Sequence, residues 1–196
     1  MARGDTLQPL PALAAKGIWS SIFHALANGG GPPAQLLIDS SAVRAHRIAA
    51  GGKKGNSTLA IGRSRGGRTT RIHVLTDELC RPVAFLVTGG HIADCKAGKA
   101  LIARMPPPSL LNADKGHDSD AIRRQVKERG AFANIPPKAN RKWNKCFSPY
   151  LYRDRNAIER MFCRLKDFRR IATRYDRLAT NFLTAICIAA TVSYWS

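Results

Sequence analysis

Between Tyr152 and Lys166 the chain has no Pro or Gly, and Ile158, Met161, Phe162, Leu165 and Phe168 recur at intervals of three and four. That spacing predicts one amphipathic helix with its apolar face against a core. A helix turns about 100° per residue, so Tyr152, Arg155, Glu159 and Lys166 share an arc of roughly 60° beside that face. Upstream, the apolar run Leu36-Leu37-Ile38 leads into Asp39-Ser40-Ser41-Ala42-Val43. The pattern predicts a buried strand with a carboxylate embedded in it. Residues 71–76 and 80–88, joined by Asp77-Glu78-Leu79, predict a β-hairpin. A short apolar strand then ends at Asp114, and Ser119 or Asp118 caps a helix over 121–129. Residues 133–138 read as a last strand, stopped by Pro136 and Pro137. Ile18 to Leu26 form a short helix ended by Asn28-Gly29-Gly30-Gly31-Pro32-Pro33, and residues 181–194 a mostly apolar closing helix.

Charge narrows the class of partner. The 196 residues carry 32 Lys and Arg against 13 Asp and Glu, a net charge of +19. Such an excess points to a polyanion, although ribosomal-type RNA binders share it. A hydrophobic content of 44% excludes a disordered basic tail, and the length suits one domain with a small appendage. The five cysteines are odd in number, scattered, and without a C-x-x-C pair, so neither a zinc site nor a disulfide framework is indicated. No signal peptide opens the chain, and the apolar run near Phe182 to Tyr194 is too short to span a bilayer. A reducing cytoplasm is the expected compartment. Gly51-Gly52-Lys53-Lys54-Gly55 and residues 61–71 combine glycine with basic residues and no hydrophobic period, predicting a mobile cationic loop. The G-x-x-x-x-G-K-[ST] order of a phosphate-binding P-loop is missing. Lys138, Arg141, Lys142 and Lys145, with Trp143 among them, form a basic aromatic loop suited to phosphate contact and base stacking; a solvated charge run has the same composition.

Two aspartates stand out by context. Asp39, beside Leu-Leu-Ile, requires a polar cleft, a cation or a donor, or else bonds its own backbone at a strand end. Asp114 closes a strand, and carboxyl ends of strands open into the crevice of an α/β sheet. An ordinary capped β–α turn accounts for the same residues. A local site of Asp114, His117, Asp118 and Asp120 competes with the capping and helix-dipole duties of Asp118 and Asp120. His91 and Asp94 read as a capped turn. From spacing alone, Glu159 sits on a solvated basic helix face.

A resemblance adds to these readings. Tyr152, then Arg155, Glu159 and Lys166, match without a gap the Tyr, two residues, Arg, three residues, Glu, six residues, Lys signature of DDE transposases of bacterial insertion sequences, in the large four and five families. Asp39 stands in that family's apolar-apolar-Asp-Ser-Ser context, and Ala113-Asp114-Lys115-Gly116 in its second Asp context, with His117 in place of a Tyr. Gly62-Arg63-Ser64-Arg65-Gly66-Gly67 resembles a family segment ending in Thr-Lys-Ile-His, here Thr70-Arg71-Ile72-His73. Family members often carry an Asp at the place of Asp94, leading into a helix, so the resemblance implies a cleft-lining residue there, outside the core set. The resemblance covers roughly residues 34–196. It implies a ribonuclease-H-like α/β fold: a mixed sheet of three antiparallel strands followed by β-α-β, flanked by helices. Residues 1–33 would be the remnant of an amino-terminal helical DNA-binding region and linker, and 34–196 the catalytic domain. The chain would be a truncated copy, or the downstream reading frame of an element joined by frameshifting.

The same resemblance makes Asp39, Asp114 and Glu159 the catalytic carboxylates, holding two Mg²⁺ or Mn²⁺ ions. It places Tyr152, Arg155, Lys166, Arg63 and Arg65 at DNA phosphates or in positioning, and Lys142 of the basic aromatic loop joins them by its charge. The implied activity is cleavage at insertion-sequence ends and strand transfer into target DNA. Double-stranded DNA is the implied partner, bound by a homodimer, with an upstream-frame polypeptide supplying the missing region. A catalytically silent DNA-binding fragment and a ribonuclease-H-like nuclease without strand transfer are the alternatives.

Overall fold

A computed structural model of the chain describes residues 10–50, 57–143 and 145–196. The Gly-Gly-Lys-Lys-Gly stretch at 51–55 lies outside the described residues. In chain order the elements are α1 (Leu10–Ala15), α2 (Ile18–Asn28), β1 (Gln35–Ala45), β2 (Gly62–Ser64), β3 (Gly67–Thr76), β4 (Pro82–Gly89), α3 (Asp94–Ile102) and β5 (Leu110–Ala113). They continue with α4 (Asp120–Glu128), β6 (Phe132–Asn134), α5 (Pro149–Tyr152), α6 (Asn156–Lys166), α7 (Arg169–Ala172), β7 (Thr173–Arg174) and α8 (Ala179–Tyr194).

The apolar run Leu36-Leu37-Ile38 is buried because β1 is the central strand. On one side β1 pairs antiparallel with β3, which pairs antiparallel with β4. On the other side it pairs parallel with β5, and β5 parallel with β6. This is the expected order of three antiparallel strands followed by β-α-β. The segment at 61–71 departs from expectation: it is a hairpin in which β2 pairs with residues 67–69 of β3. Backbone pairing needs no apolar side chains, and Gly67, at φ 93°, supplies the left-handed turn position.

Alternation along β1 sorts the helices. The Ile38 side chain meets the Gly98 position of α3, which also faces Ile122 of α4. Asp39 and Ser41 project to the opposite face, where Arg155 and Lys166 receive them. There α6 buries Ile158, Met161, Phe162 and Leu165, and α8 buries Phe182 and Ile186. From α2, Phe23 is fully buried in the same core and packs on Phe85 of β4.

The single helix expected over 152–166 is interrupted. Pro149 and the Ser148 cap start α5, residues 153–155 form a 3₁₀ turn, and α6 begins at Asn156. The backbone stays right-handed, so direction is kept while the turn tightens. A 3₁₀ turn eclipses residues three apart, consistent with Arg155 Nη1 donating to the Tyr152 hydroxyl at 3.2 Å. Phe168 lies beyond the end of α6 and is 40% exposed, off the buried face. The last strand is shorter than expected, and Asn134 at its end anchors the segment that enters α5. Its Nδ2 donates to Asn112 Oδ1 (2.8 Å) and Ser148 O (3.1 Å), and its Oδ1 accepts from Ser148 N (2.8 Å). The turn leading to Tyr152 and Glu159 is thereby tied to the ends of β5 and β6.

Candidate active site

The register of β1 against β5 ends at Ile38 opposite Ala113, so Asp39 and Asp114 follow side by side. There β5 stops, while β1 runs on to Ala45. Among the described residues no strand pairs with that side of β1 until β7 meets Arg44 and Ala45. The sheet therefore splits beside Asp39, in the way that opens a crevice at strand ends.

Asp39 is buried, and burial pushes its carboxyl above the ordinary value. The Ser40 N–H (2.7 Å to Oδ1) and Arg155 oppose that shift, while the neighbouring Asp114 adds to it. For Asp114, burial also works upward, but the His117 side chain and backbone bring the net value below the ordinary one. His117 Nδ1 lies 2.6 Å from Asp114 Oδ1, and the His117 N–H donates to the same oxygen at 3.2 Å. Glu159, with a side chain 61% exposed, reaches the pair through Arg155. Arg155 Nη2 donates to Asp39 Oδ2 at 3.2 Å and to Glu159 Oε1 at 3.3 Å. Burial raises the Tyr152 phenol above its ordinary value, against the pull of Arg155. One turn past Phe162, Lys166 Nζ donates to Ser41 Oγ at 2.6 Å and lies 3.5 Å from Ala42 O, on the stretch of β1 that, among the described residues, has a strand partner on the β3 side only.

Asp39, Asp114, Tyr152, Arg155 and Glu159 are thus brought together, with Lys166 beside them. Arg63 and Arg65 are not: they stand exposed on the β2–β3 hairpin, and Lys142 is exposed next to Trp143, which is 80% exposed. Of the local set, only Asp114 and His117 meet. Ser119, not Asp118, caps α4. Asp118 accepts from Arg123 Nε, Arg141 Nε and Lys138 N, and Arg141 also pairs with Asp120. Arg141 is therefore a pin for the basic loop.

Sequence reasoning missed two arrangements. Asp94 makes no cap for α3; its carboxylate takes Ser40 Oγ and Arg71, on the reverse side of β1 from Arg155. Asp94 and Arg71 were each visible in the chain, but their pairing joins distant segments and left no local signal. Arg174 is fully buried, donating to Leu59 O, Ala60 O, Arg177 O and Thr70 Oγ1, and burial lowers its pKa to about 10.

The donor set fits a hard divalent cation, since Asp39, Asp114 and Glu159 offer only carboxylate oxygens. As the side chains stand, no three His, Cys, Asp or Glu residues among the described residues have metal-site spacing. The Arg155 guanidinium lies between Asp39 and Glu159, an existing cation at that point.

A family model described as "Transposase DDE domain" matches residues 30–193. The chain is 30% identical over 122 residues to the transposase assigned to insertion sequence element IS6501 of Brucella ovis, covering 62% of this chain and 94% of that protein. It is 30% identical over 128 residues to the one assigned to IS402 of Burkholderia cepacia, covering 60% of this chain and 57% of that protein. Among solved structures, a piggyBac transposase synaptic complex with hairpin DNA is similar at TM-score 0.55 and 10% identity, over 92% of this chain and 51% of that one. This chain therefore spans little more than half of the last two proteins. The mixed sheet with its flanking helices is the ribonuclease-H-like fold of such enzymes. Fold, family match and relatives agree: the chain belongs to the DDE transposases of bacterial insertion sequences.

Proposed function

We propose that the chain catalyses divalent-metal-dependent cleavage at insertion-sequence ends and strand transfer into target DNA. The observation that carries this reading is the meeting of Asp39 and Asp114 on adjacent parallel strands, with Glu159 linked to them through Arg155. Asp39, Asp114 and Glu159 would hold Mg²⁺ or Mn²⁺. When bound, such ions activate a water or a DNA 3′-hydroxyl and stabilise the leaving oxygen in an in-line displacement. The chain's own residues do the rest. Arg155 and Lys166 hold phosphates beside the carboxylates, and Tyr152, its phenol kept protonated by burial, positions the scissile group. Arg63, Arg65 and Lys142 grip the duplex backbone away from the reacting phosphate, where charge fixes register without reading sequence. DNA is bound by a homodimer together with an upstream-frame polypeptide, and residues 1–33 are the remnant of a helical DNA-binding region and its linker. Residues 34–196 form the catalytic domain.

A second reading, a DNA-binding fragment without catalysis, is favoured by Arg155 standing between Asp39 and Glu159 and by the absence of metal-site spacing among the described side chains. Incubation with Mg²⁺ and a labelled duplex carrying the element's inverted repeat separates the readings. Cleavage and joining, both lost in Asp39→Asn, support the transposase. Binding without cleavage supports the silent fragment, and cutting without joining a nuclease.

A further inference from the structure

Asp94 opens α3, yet its bonds go to strands. Ser40 Oγ donates to Asp94 Oδ1 at 2.6 Å, Arg71 Nη1 donates to the same oxygen, and Arg71 Nη1 lies 3.3 Å from Ser40 Oγ. Burial works to raise the Asp94 carboxyl, but Arg71 and the Ser40 hydroxyl hold it below its ordinary value, so it stays anionic. The buried His73 ring, 3.8 Å away at Nδ1, is kept neutral by burial with a pKa of about 4 and offsets none of that charge.

Two paths lead from Asp94 to the carboxylate pair. Ser40 binds Asp94 through its side chain and Asp39 through its backbone N–H, at 2.7 Å. One residue therefore ties the two acids together through the strand. The other path crosses Gly116, where an added Cβ would sit 3.1 Å from both Asp114 oxygens and 3.4 Å from Asp94 Oδ2. The missing side chain lets Asp94 and Asp114 face one another. Asp94 Oδ2 accepts no hydrogen bond among the described residues and borders the same Gly116 position as the Asp114 oxygens, while Arg71 and Ser40 hold Oδ1.

We propose that Asp94 is a positioning residue: anchored by Arg71, it fixes Ser40 so that the Ser40 amide orients Asp39, and its charge beside Asp114 strengthens capture of a divalent cation. This rests on reading Asp39 and Asp114 as cation-binding groups. Partners that orient metal ligands typically contribute about 10–100-fold in affinity.

The test is calorimetric titration of Mn²⁺ into the DNA-free protein, well below its melting temperature. It compares wild type, Asp94→Asn, Ser40→Ala, their double variant, and Asp39→Asn. Each of Asp94→Asn and Ser40→Ala is expected to weaken Mn²⁺ binding by about 10-fold or more. The double variant should be little weaker than the worse single one, because Ser40 and Asp94 act in series. Raised Mn²⁺ should restore DNA cleavage in Asp94→Asn. A role confined to fastening α3 would lower the melting temperature and leave the affinity of the folded protein unchanged. Mn²⁺ affinity within about twofold of wild type in folded Asp94→Asn or in Ser40→Ala, or effects that simply add, would overturn the proposal. If Asp39→Asn binds Mn²⁺ like wild type, the reading of the carboxylates fails instead; if only Asp39→Asn loses binding, that reading stands and this inference falls.

Discussion

Asp118 is a buried carboxylate held by three donors, and removing its charge has a calculable effect. Its side chain is fully buried and accepts from Arg123 Nε at 2.8 Å, Arg141 Nε at 2.5 Å and Lys138 N at 2.9 Å. Burial alone would raise its pKa, but these three donors bring it from 3.8 down to about 2. That difference corresponds to about 2 kcal/mol of stability at neutral pH. Asp118→Asn keeps the shape but leaves Arg123 without its counter-charge and Arg141 with only the exposed Asp120, a loss of about 3–5 kcal/mol where such pairs are fully desolvated. Arg123 and Arg141 are 12% and 15% exposed, so water returns part of that penalty and about 2–4 kcal/mol is expected. For a chain of this size the melting temperature should fall by about 5–15 °C. Because the folded value lies below the ordinary one, this contribution is present above pH ~4 and lost as pH falls towards 2. Urea unfolding followed by tryptophan fluorescence at pH 7, 5 and 3 measures it. The gap between wild type and variant should be full at pH 7 and 5 and smaller at pH 3. A variant as stable as wild type at pH 7, or a gap that widens on acidification, would refute the reasoning.

Asp39 should behave in the opposite sense. Its pKa is raised by burial, so its favourable contribution is complete below the ordinary carboxylate value and lost as pH rises through the folded one. In EDTA at pH 7, Asp39→Asn should therefore melt higher than wild type, and added Mg²⁺ should raise the melting temperature of wild type only; the reverse order in thermal melts would count against a strained carboxylate. Arg63→Ala, Arg65→Ala and Lys142→Ala should each reduce the salt dependence of DNA affinity by about one ion without altering sequence preference, as read by fluorescence anisotropy across salt concentrations. Leu165→Ala, at a fully buried position on α6, should cost about 2–5 kcal/mol in denaturant unfolding; a loss below 1 kcal/mol would mean that this face does not anchor the Glu159 helix.

The parts legible from sequence were those written in local pattern. Leu36-Leu37-Ile38 before Asp39 announced a buried strand, and the Gly116 turn after Asp114 announced a strand end. The break between α5 and α6 was hidden, because residues 153–155 keep helical dihedrals and only the pitch changes. The extent of β2 and β3 was hidden because a hairpin edge pairs through backbone atoms, whatever its side chains. Asp94 with Arg71, Asp118 with Arg141, and Arg174 with Leu59 and Ala60 are contacts between distant segments. Each depends on which strands become neighbours, information that no local window holds.

The split in the sheet has a consequence for solubility. Among the described residues, no strand pairs with one side of residues 39–43 of β1. Unpaired strand edges invite the backbone of another polypeptide, and with it aggregation. Lys166, anchored on Ser41 and close to the Ala42 carbonyl, sets an ammonium group on that edge, where an incoming strand would have to displace it. Lys166 thus guards the open edge, leaving the crevice beside Asp39 accessible while barring an added strand.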